Sequence, residues 1–322
     1  MLRPAVLALA ALVLVSGGSA TSRSPVRSAI FYYPWYGTPA HDGRYQHWAQ
    51  HGASPPRRIA SSYYPVRGVY SSGDGRVVRA QMREIAQAGV DQVIVSWWGR
   101  GSVEDGRLPL VSRAARAARL RVAAHVEPYP GRTAASVVAD ARYLRRFRIT
   151  ELYVYDPGTI GAARWRSQLE GLHGSRLFAQ TPFAGFAAAG GFDGVYTYDV
   201  LVWGGDDFAR ICGEAHRRRL LCAPSVGPGF DARRATGEPR VKPRRSGATY
   251  DSMWRAALRA RADVVTITSY NEWHEGTQIE PARARAGYAS YVGAWGRRGP
   301  AAERAYLART AYWTARARFT RQ

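Results

Sequence analysis

Short apolar runs rich in β-branched and aromatic residues recur along the chain, and helix-length segments separate most of them. There are eight such runs, at residues 28–33, 92–97, 121–127, 151–156, 176–180, 194–199, 220–226 and 263–270. The segments between them place Ala, Leu and Arg at helical spacing, as in VVRAQMREIAQAG before the second run. Strands that alternate with helices form right-handed parallel units. Eight such units close into a barrel, so the sequence predicts an α/β fold with a single (β/α)8 barrel of the TIM type.

The alternative for this alternation is an open, doubly wound sheet. Such a sheet would place a glycine-rich phosphate-binding turn after an early strand. The chain contains no G-x-G-x-x-G or P-loop pattern, and the aromatic loop at residues 34–48 lacks the start of a helix that could hold a phosphate. The barrel is therefore the better prediction. No internal repeat or linker marks a second domain, and residues 227–247 are predicted as one long loop after the seventh strand.

The N-terminus has the pattern of a secretion signal. Arg3 precedes an apolar run at residues 5–15, and small residues follow at 18–20. A permanent membrane anchor needs about 18 to 20 apolar residues, which is longer than this run. We therefore predict a signal peptide at residues 1–20 and one domain at 21–322, in a secreted, extracellular protein without stable membrane insertion.

The chain is strongly basic, with a formal net charge of +22. Nearly all of this charge is arginine, because Lys242 is the only lysine, and the arginines are scattered through helical segments such as RYLRRFR. A basic surface that binds nucleic acid should instead form a cluster. We favour a compositional origin for the arginine content and expect no nucleic-acid partner. Binding to a cell envelope or another anionic polymer stays as the alternative.

Cys212 and Cys222 are the only cysteines. They are predicted on a helix and on the next strand, so they could face each other across one layer of the fold. An exported protein can form disulfides, but two cysteines are too few for a disulfide scaffold. We expect two buried free thiols and leave a bridge open.

Polar and aromatic side chains follow the predicted strands at their carboxyl ends. In a parallel barrel these ends converge on one mouth, where enzymatic activity resides. Aromatic faces can stack on the C–H faces of sugar rings, and carboxylates and amides can bond sugar hydroxyls, so this inventory favours a carbohydrate ligand. The candidates are Tyr33, Trp35, Trp98, His125, Glu127, Tyr129, Tyr198, Asn271, Glu272 and Glu275.

Glu272 and Glu275 are the candidate catalytic acids. Glycosidic cleavage ordinarily uses two carboxyl groups, one to protonate the departing oxygen and one to assist attack at the anomeric carbon. The ordinary pair flanks the bond from opposite sides, which is difficult for residues three positions apart unless the segment turns sharply after Asn271. Substrate-assisted routes are a recognised exception. The spacing alone leaves both routes open.

The order of motifs along the chain resembles glycoside hydrolase family 99, the endo-α-mannosidases and endo-α-mannanases. The resemblance runs from about Ser28 to Pro281 and is most specific at its C-terminal end. The matching motifs are FYYPWYG, DGRYQHW, YSS, SWW, HVEPYPGR, LYVYD, GFDGVYTY, PSVGPGFD and TSYNEWHEGTQIEPA.

The resemblance implies a retaining endo-acting enzyme that cleaves internal α-mannosidic bonds through a 1,2-anhydro sugar. Glu272 would deprotonate the 2-hydroxyl of the sugar, and Glu275 would protonate the leaving oxygen and then activate water. The second role needs a protonated Glu275, so we expect burial and the charge of Glu272 to raise its pKa. The positions implied to line the site and to contact substrate hydroxyls are His125, Glu127, Tyr129, Tyr198 and Asn271.

One loop departs from the family pattern. The eukaryotic members carry a Tyr-Pro-Pro loop after the second strand, where this chain has Trp98-Gly99-Arg100-Gly101. The resemblance implies that this loop borders the sugar that precedes the cleaved bond. Both glucose and mannose therefore stay open for that position, and the expected partner is an α-mannan or a mannose-containing oligosaccharide.

Other interpretations concern single residues or the whole site. His125 and Glu127 point the same way on a strand and could bind a metal, but no third ligand is evident, so we predict no metal and no cofactor. His125 could equally be a hydrogen-bonded structural residue. Phe31 is predicted in the barrel core, only one of Tyr32 and Tyr33 can face the mouth, and Glu280 is predicted as structural, paired with an arginine.

Two functional alternatives come from other classes. The first is a carbohydrate-binding barrel that has lost turnover, and the presence of both candidate glutamates argues against it. The second is a basic protein that binds envelopes or anionic polymers, for which binding would fall steeply with salt and would not depend on Glu275.

Overall fold

A computed structural model of the chain describes residues 25–319, so the predicted signal peptide lies outside the described residues. Parallel strand segments form one sheet in the described part of the chain. In chain order they are Arg27–Tyr32, Gln92–Trp97, Arg121–Val126, Glu151–Val154, Arg176–Gln180, Gly194–Tyr196, Leu221–Ala223, Ser225–Val226 and Val264–Ile267.

Pro224 divides the seventh strand into two short segments, and the barrel closes through them. Leu221–Ala223 pairs with the sixth strand, whereas Ser225–Val226 pairs with the eighth, which in turn pairs with the first. The Pro224 carbonyl also accepts the backbone N–H of Thr266 at 3.1 Å. Proline has no N–H to donate, so the strand loses one ladder hydrogen bond at residue 224. Pairing resumes at Ser225 with the eighth strand. The predicted (β/α)8 barrel is confirmed.

Helices connect the strands on the outside of the barrel. The longer ones are Gly75–Gln87, Val103–Ala117, Ala134–Leu144, Ala162–Leu169, Ala184–Gly190, Gly205–Arg217, Ala248–Arg259 and Ala305–Phe319; the short ones are Pro39–Asp42 and Gly299–Glu303. The first long helix begins where the Asp74 side chain accepts the N–H of Arg76, and it buries Val78, Met82 and Ile85. No helix within residues 25–319 combines the length and the apolar character that crossing a bilayer requires.

Short antiparallel pairs cover the mouth of the barrel. Tyr64–Pro65 pairs with Ala282–Arg283, and Phe230–Asp231 pairs with Val241–Lys242. The second pair lies inside the segment that was predicted as one long loop, so that loop contains a small hairpin. Runs of two residues are too short to give a periodic signal, which is why the sequence pattern missed them.

Alternation along the first strand divides its aromatic residues between two layers. Phe31 is fully buried inside the barrel, 4.8 Å from the ring of His125, as predicted. Tyr32 faces the outer helices and donates its hydroxyl to Gln81. Tyr33 points inward again, where its hydroxyl meets that of Tyr198. The prediction that only one of the two tyrosines faces the mouth is confirmed.

The expectation of two free thiols is wrong. Cys212 on the helix Gly205–Arg217 and Cys222 on the seventh strand form a disulfide, and both residues are fully buried. The helix lies directly against this strand, which brings the two cysteines together across one layer. Cysteine number argued against a scaffold of bridges, but it could not exclude a single bridge between neighbouring elements.

We expect removal of this bridge to lower stability without changing the fold. The Cys212→Ala/Cys222→Ala double variant should lose roughly 2–3 kcal/mol in free energy of unfolding, because the unfolded chain regains the freedom of a short closed loop. Denaturant unfolding with and without a reducing agent measures this loss. The wild type should weaken under reduction while the variant does not respond. Equal stability of the oxidised wild type and the variant would contradict the expectation.

Candidate active site

The segment that carries the predicted acids turns back on itself directly after the eighth strand. The backbone N–H of Trp273 bonds the carbonyl of Asn271 at 3.0 Å, and the N–H of Gly276 faces the carbonyl of Trp273 at 3.3 Å. Gly276 has φ +63°, and a Cβ there would lie 2.9 Å from the Asp231 carbonyl oxygen, so the turn requires glycine. The segment thus makes the sharp turn after Asn271 that two acids three positions apart would need to reach different atoms of one substrate.

Glu272 is almost completely enclosed, with 2% of its surface exposed. Its Oε1 accepts the backbone N–H of His274 at 3.1 Å, and the N–H of Glu275 also stabilises its charged form. The backbone N–H of Glu272 itself is held by Ser269 Oγ at 2.8 Å. Hydrogen bonds donated to a carboxylate favour the ionised state. For Glu272 these bonds favour the ionised form and offset part of the effect of burial, which raises its pKa.

Glu275 has a different environment. Its side chain keeps partial exposure at the mouth, and the Tyr198 hydroxyl lies 3.5 Å from its Oε2. Its backbone carbonyl accepts the N–H of Asp231 at 2.7 Å, which fixes the turn. Among residues 25–319, no backbone N–H donates a hydrogen bond to the carboxyl group of Glu275, in contrast to Glu272. Glu275 is the member of the pair that is suited to carry a proton.

The electrostatics of the pair follow from this enclosure. Burial, followed by the carboxylates of Asp199 and Glu127, raises the pKa of Glu275 to about 8. Burial, followed by the charge of Glu275, raises the pKa of Glu272 well above its usual range. Adjacent buried carboxyl groups hold a proton between them near neutral pH. The expected direction for Glu275 is confirmed, but the charge that acts most strongly on it is Asp199 rather than Glu272.

An aromatic wall stands beside the acids. The rings of Trp35 and His47 stack at 4.5 Å with 7° between their planes, and Tyr33 packs 4.6 Å from Trp35. His274 donates from Nε2 to the His47 carbonyl at 2.6 Å, and burial lowers its pKa to about 4. Because the neutral ring carries its proton on Nε2, the nitrogen that faces Glu272 at 3.5 Å is the unprotonated Nδ1. The wall is uncharged, as a surface for sugar stacking should be.

Tyr198 links the acids to this wall. Its hydroxyl shares a short hydrogen bond with that of Tyr33, and its ring stacks 5.2 Å from His125. Its φ of +41° lies in the left-handed region, which is costly for a bulky residue and persists only where the surroundings enforce it. The packing therefore holds the phenol next to Glu275, and burial raises its pKa so that it stays a neutral donor.

His125 and Glu127 lie in the barrel interior. Nε2 of His125 is 2.9 Å from the Tyr196 hydroxyl, and its Nδ1 is 2.9 Å from Glu127 Oε1, which also accepts the hydroxyl of Ser96 at 2.7 Å. Only 1% of His125 is exposed. Nε2 of His125 is hydrogen-bonded to Tyr196, as the structural alternative requires, whereas Nδ1 lies close to Glu127 without forming a hydrogen bond. A sugar contact of either residue stays a prediction.

Trp98 and Tyr129 occupy the rim rather than the centre. Trp98 follows the second strand and is 37% exposed. The hydroxyl of Tyr129 bonds Ser136, at 2.9 Å, and Asp140 on the neighbouring helix, and its ring packs against Gly99. The polar atom of Tyr129 is therefore committed to the helix, whereas Trp98 offers a free face to solvent.

Asn271 holds two strands together. Its Nδ2 donates to the Tyr33 carbonyl at 2.9 Å, and its Oδ1 accepts the Tyr33 backbone N–H at 2.8 Å. The side chain is fully buried. A direct bond to a substrate hydroxyl would require these bonds to break, so the structure gives Asn271 a positioning task between the first strand and the turn that carries Glu272 and Glu275.

Glu280 supports the turn from behind, and its predicted structural role with an arginine partner is confirmed. Oε1 accepts Gln81 at 2.9 Å and Arg67 at 3.2 Å, while Oε2 accepts the Tyr70 hydroxyl at 2.7 Å and the indole N–H of Trp273 at 3.0 Å. All four donors converge on a fully buried carboxylate. This network anchors Trp273 between the two acids of the turn.

Sequence reasoning missed three residues at the site. Asp199 follows Tyr198 at the end of the sixth strand and acts on the pKa of Glu275. Tyr155 ends the fourth strand, 5.4 Å from the ring of Tyr198. Position after a strand was an available signal for both. His47 lies in a loop, in the motif DGRYQHW that belongs to the family resemblance, but no argument from the residues assigned it to the site.

No metal centre is found in the part of the chain that the structure describes. Among residues 25–319, no group of three or more His, Cys, Asp or Glu side chains could hold a metal ion. His125 and Glu127, which were considered as metal ligands, supply only two such side chains.

Removing the charge of Asp199 should shift the pH dependence of activity. The acid must be protonated to act, so activity falls as pH rises through the pKa of Glu275. In Asp199→Asn that pKa falls, and the alkaline half-activity point should move down by roughly one pH unit. The profile of kcat/KM against pH measures this shift. Asp206 is an exposed carboxylate on the following helix, so Asp206→Asn should keep the wild-type profile. If the Asp199→Asn profile does not shift, Asp199 does not control the pKa of Glu275.

The chain was compared with known proteins. The family model described as glycosyl hydrolase family 99 matches residues 26–319. A glycoprotein endo-alpha-1,2-mannosidase-like protein from Danio rerio is 35% identical in an alignment over 311 residues, with coverage of 79% of this chain and 70% of that protein. A glycoprotein endo-alpha-1,2-mannosidase from Xenopus laevis is 31% identical over 318 residues, covering 79% of this chain and 69% of its own length.

A solved structure agrees with these sequence matches. The endo-alpha-mannosidase from Bacteroides thetaiotaomicron superposes with a TM-score of 0.82 at 28% identity, and the match covers 92% of this chain and 98% of that one. The family model spans nearly all described residues, including the catalytic turn, so the resemblance found in the sequence is confirmed. This chain is therefore a glycoside hydrolase that belongs to glycosyl hydrolase family 99.

Proposed function

We propose that the protein is a secreted, retaining endo-α-mannoside hydrolase that works through a 1,2-anhydro sugar. The observation that carries the proposal is the unequal hydrogen bonding of two carboxyl groups on one turn. Burial raises the pKa of both carboxyl groups, but Glu272 receives backbone N–H donors, whereas Glu275 meets the Tyr198 hydroxyl and keeps partial exposure. The relatives are endo-alpha-1,2-mannosidases and an endo-alpha-mannosidase, which supports the substrate class.

In the first step, Glu272 takes the proton of the sugar 2-hydroxyl while that oxygen attacks the anomeric carbon. Glu275 gives its proton to the glycosidic oxygen as the bond to the anomeric carbon breaks. Neither carboxylate attacks carbon, so the two acids need not flank the bond from opposite faces. This removes the difficulty that their spacing of three positions raises.

In the second step, Glu275 takes a proton from water, which attacks the anomeric carbon and opens the anhydro ring. Glu272 returns its proton to the 2-oxygen. Each step inverts the anomeric carbon, so the product retains the α configuration. The neutral phenol of Tyr198 beside Glu275 is placed to orient the carboxyl group through both steps.

Secretion is part of the proposal. Arg3, the apolar run and the small residues that follow support a cleaved signal. The Cys212–Cys222 disulfide supports an oxidising destination, because such bonds persist outside the cytosol. Trp98 at the rim, in place of the eukaryotic loop, supports a different preference at the sugar before the cleaved bond.

The test is digestion of α-1,6 mannan that carries α-1,2 side chains, with products followed by NMR. We expect α-configured oligosaccharides from the wild type and none from Glu275→Gln. Products of β configuration would exclude the two-step route. Binding of the mannan without any release would favour the non-catalytic alternative, and release of single mannose units would contradict endo action.

A further inference from the structure

Arginines that are distant in the sequence meet in one groove beside the mouth. The groove encloses about 510 Å³. We call it the arginine groove. Its basic lining residues are His51, Arg57, Arg58, Arg233 and Arg234. The loops that supply them follow the first and seventh strands, so the groove opens on the same end of the barrel as the two acids. Its size lies in the range of small-ligand sites, about 300–1,000 Å³.

Both walls of the arginine groove are tied to the catalytic turn. On one wall, four residues before His51, the His47 carbonyl accepts the Nε2–H of His274 at 2.6 Å. On the other wall, the backbone N–H of Asp231 bonds the carbonyl of Glu275 at 2.7 Å. The loops that form both walls are therefore hydrogen-bonded to the turn that carries the two acids.

The arginine groove keeps an uncompensated positive charge. Arg233 pairs with Asp231 at 2.8 Å, and this is the ion pair found for the groove arginines in residues 25–319. Arg234 lies over the Tyr288 ring at 4.6 Å, and Arg58 donates to the carbonyl of Gly52. The charge of Arg233 is thus paired with Asp231, whereas the contacts of Arg58 and Arg234 orient their guanidinium groups toward a carbonyl and a ring. The groove thus carries excess positive charge that an anionic ligand could balance.

The chemistry of the lining points to a phosphate. Guanidinium groups bind phosphate oxygens in pairs of parallel hydrogen bonds and are less strongly hydrated than ammonium groups. The four lining arginines, one of them paired with Asp231, leave more positive charge than a single carboxylate can balance, whereas a phosphate offers more charge and more acceptors. The arginine content that seemed compositional in the sequence therefore forms a local cluster next to the site.

We propose that the arginine groove binds a phosphate group carried by the mannoside substrate, so that phosphorylated α-mannans are preferred. This rests on the proposed mannoside hydrolysis and specifies its substrate class. Phosphate bound beside the turn would position the neighbouring glycosidic bond at the acids. The preference should weaken with salt, because exposed charges are screened.

The test compares one mannan in two forms, with its phosphate groups and after their chemical removal. The wild type should show a higher kcat/KM on the phosphorylated form, by about tenfold for several partly exposed ion pairs. In Arg57→Gln/Arg234→Gln this ratio should fall towards one. The matched control is Arg113→Gln/Arg164→Gln, which removes the same charge from exposed positions on outer helices and should keep the wild-type ratio.

Three outcomes would overturn the proposal. An equal fall in both double variants would indicate a general field effect, and competition by inorganic phosphate as strong as by the phosphorylated mannan would indicate a site for free phosphate. Loss of binding to anionic vesicles in the groove variant, with the ratio unchanged, would indicate a surface for envelopes instead.

A binding measurement separates this proposal from the proposed function. Titration calorimetry with both mannan forms on the Glu275→Gln protein reports the groove without any turnover. If the chain cleaves neither form, the proposed function fails while a lost preference in the groove variant still supports phosphate binding. If the Glu275→Gln protein binds both mannan forms equally, with or without the groove substitutions, the inference fails while the proposed function is unaffected.

Discussion

Glu275→Gln should cleave mannan roughly 10²–10⁴-fold more slowly than the wild type, which is the range for loss of a positioned general acid. The glutamine amide cannot protonate the departing sugar oxygen, and it cannot accept a proton from water in the second step. Binding should persist, because the amide has nearly the same shape as the protonated carboxyl group. Values of kcat/KM for mannan measure the loss, and titration calorimetry measures the binding.

A substrate with a good leaving group sharpens this test. An activated aryl mannoside departs without a proton, so Glu275→Gln should recover its first step and release the aryl group in a burst. The variant should also lose the alkaline fall in its pH profile, since the group with a pKa of about 8 is absent. Glu170→Gln, an exposed glutamate far from the turn, should match the wild type. A variant equally slow on both substrates would contradict the acid role.

Glu272→Gln should abolish cleavage of both substrates. Attack by the 2-oxygen comes first whatever the leaving group, and an amide cannot remove the hydroxyl proton. The defect should therefore be at least as large as for Glu275→Gln, about 10²–10⁴-fold or more, and an activated leaving group should not relieve it. Steady-state rates with mannan and with the aryl mannoside measure this contrast.

The substrate provides a second check on Glu272. A mannoside in which fluorine replaces the 2-hydroxyl lacks the attacking oxygen, so the wild type should bind it and leave it intact. Cleavage of this analogue by the wild type, or recovery of Glu272→Gln with the aryl mannoside, would indicate that the carboxylate acts on another atom. Either result would return the site to the ordinary two-carboxylate scheme.

The barrel was predictable because its signal is repeated. Each strand and helix is short, but their alternation along the chain fixes parallel pairing and closure together. The break at Pro224 and the hairpin of Phe230–Asp231 with Val241–Lys242 were not predictable, since they depend on what packs against them. The disulfide depended on the distance between a helix and a strand, which two cysteines in a sequence do not state.

The sequence predicted which residues lie near the mouth better than it predicted the contacts that they make. Strand ends brought the aromatic residues and acids to one mouth, yet position on a strand does not say where a polar atom points. Tyr129 gives its hydroxyl to a helix and Asn271 gives its amide to Tyr33. Likewise Arg57 and Arg234 are far apart in the sequence, so only the folded chain brings them into one groove.

The bonds between Asn271 and Tyr33 also bear on biosynthesis. They cross the seam where the first strand meets the last, so the acids are in place only after nearly the whole chain has been synthesised. A nascent chain that ends before Asn271 contains the aromatic residues of the first strand but lacks the turn that bonds to Tyr33. A chain that ends before residue 272 lacks both acids and therefore cannot use them to hydrolyse a glycosidic bond.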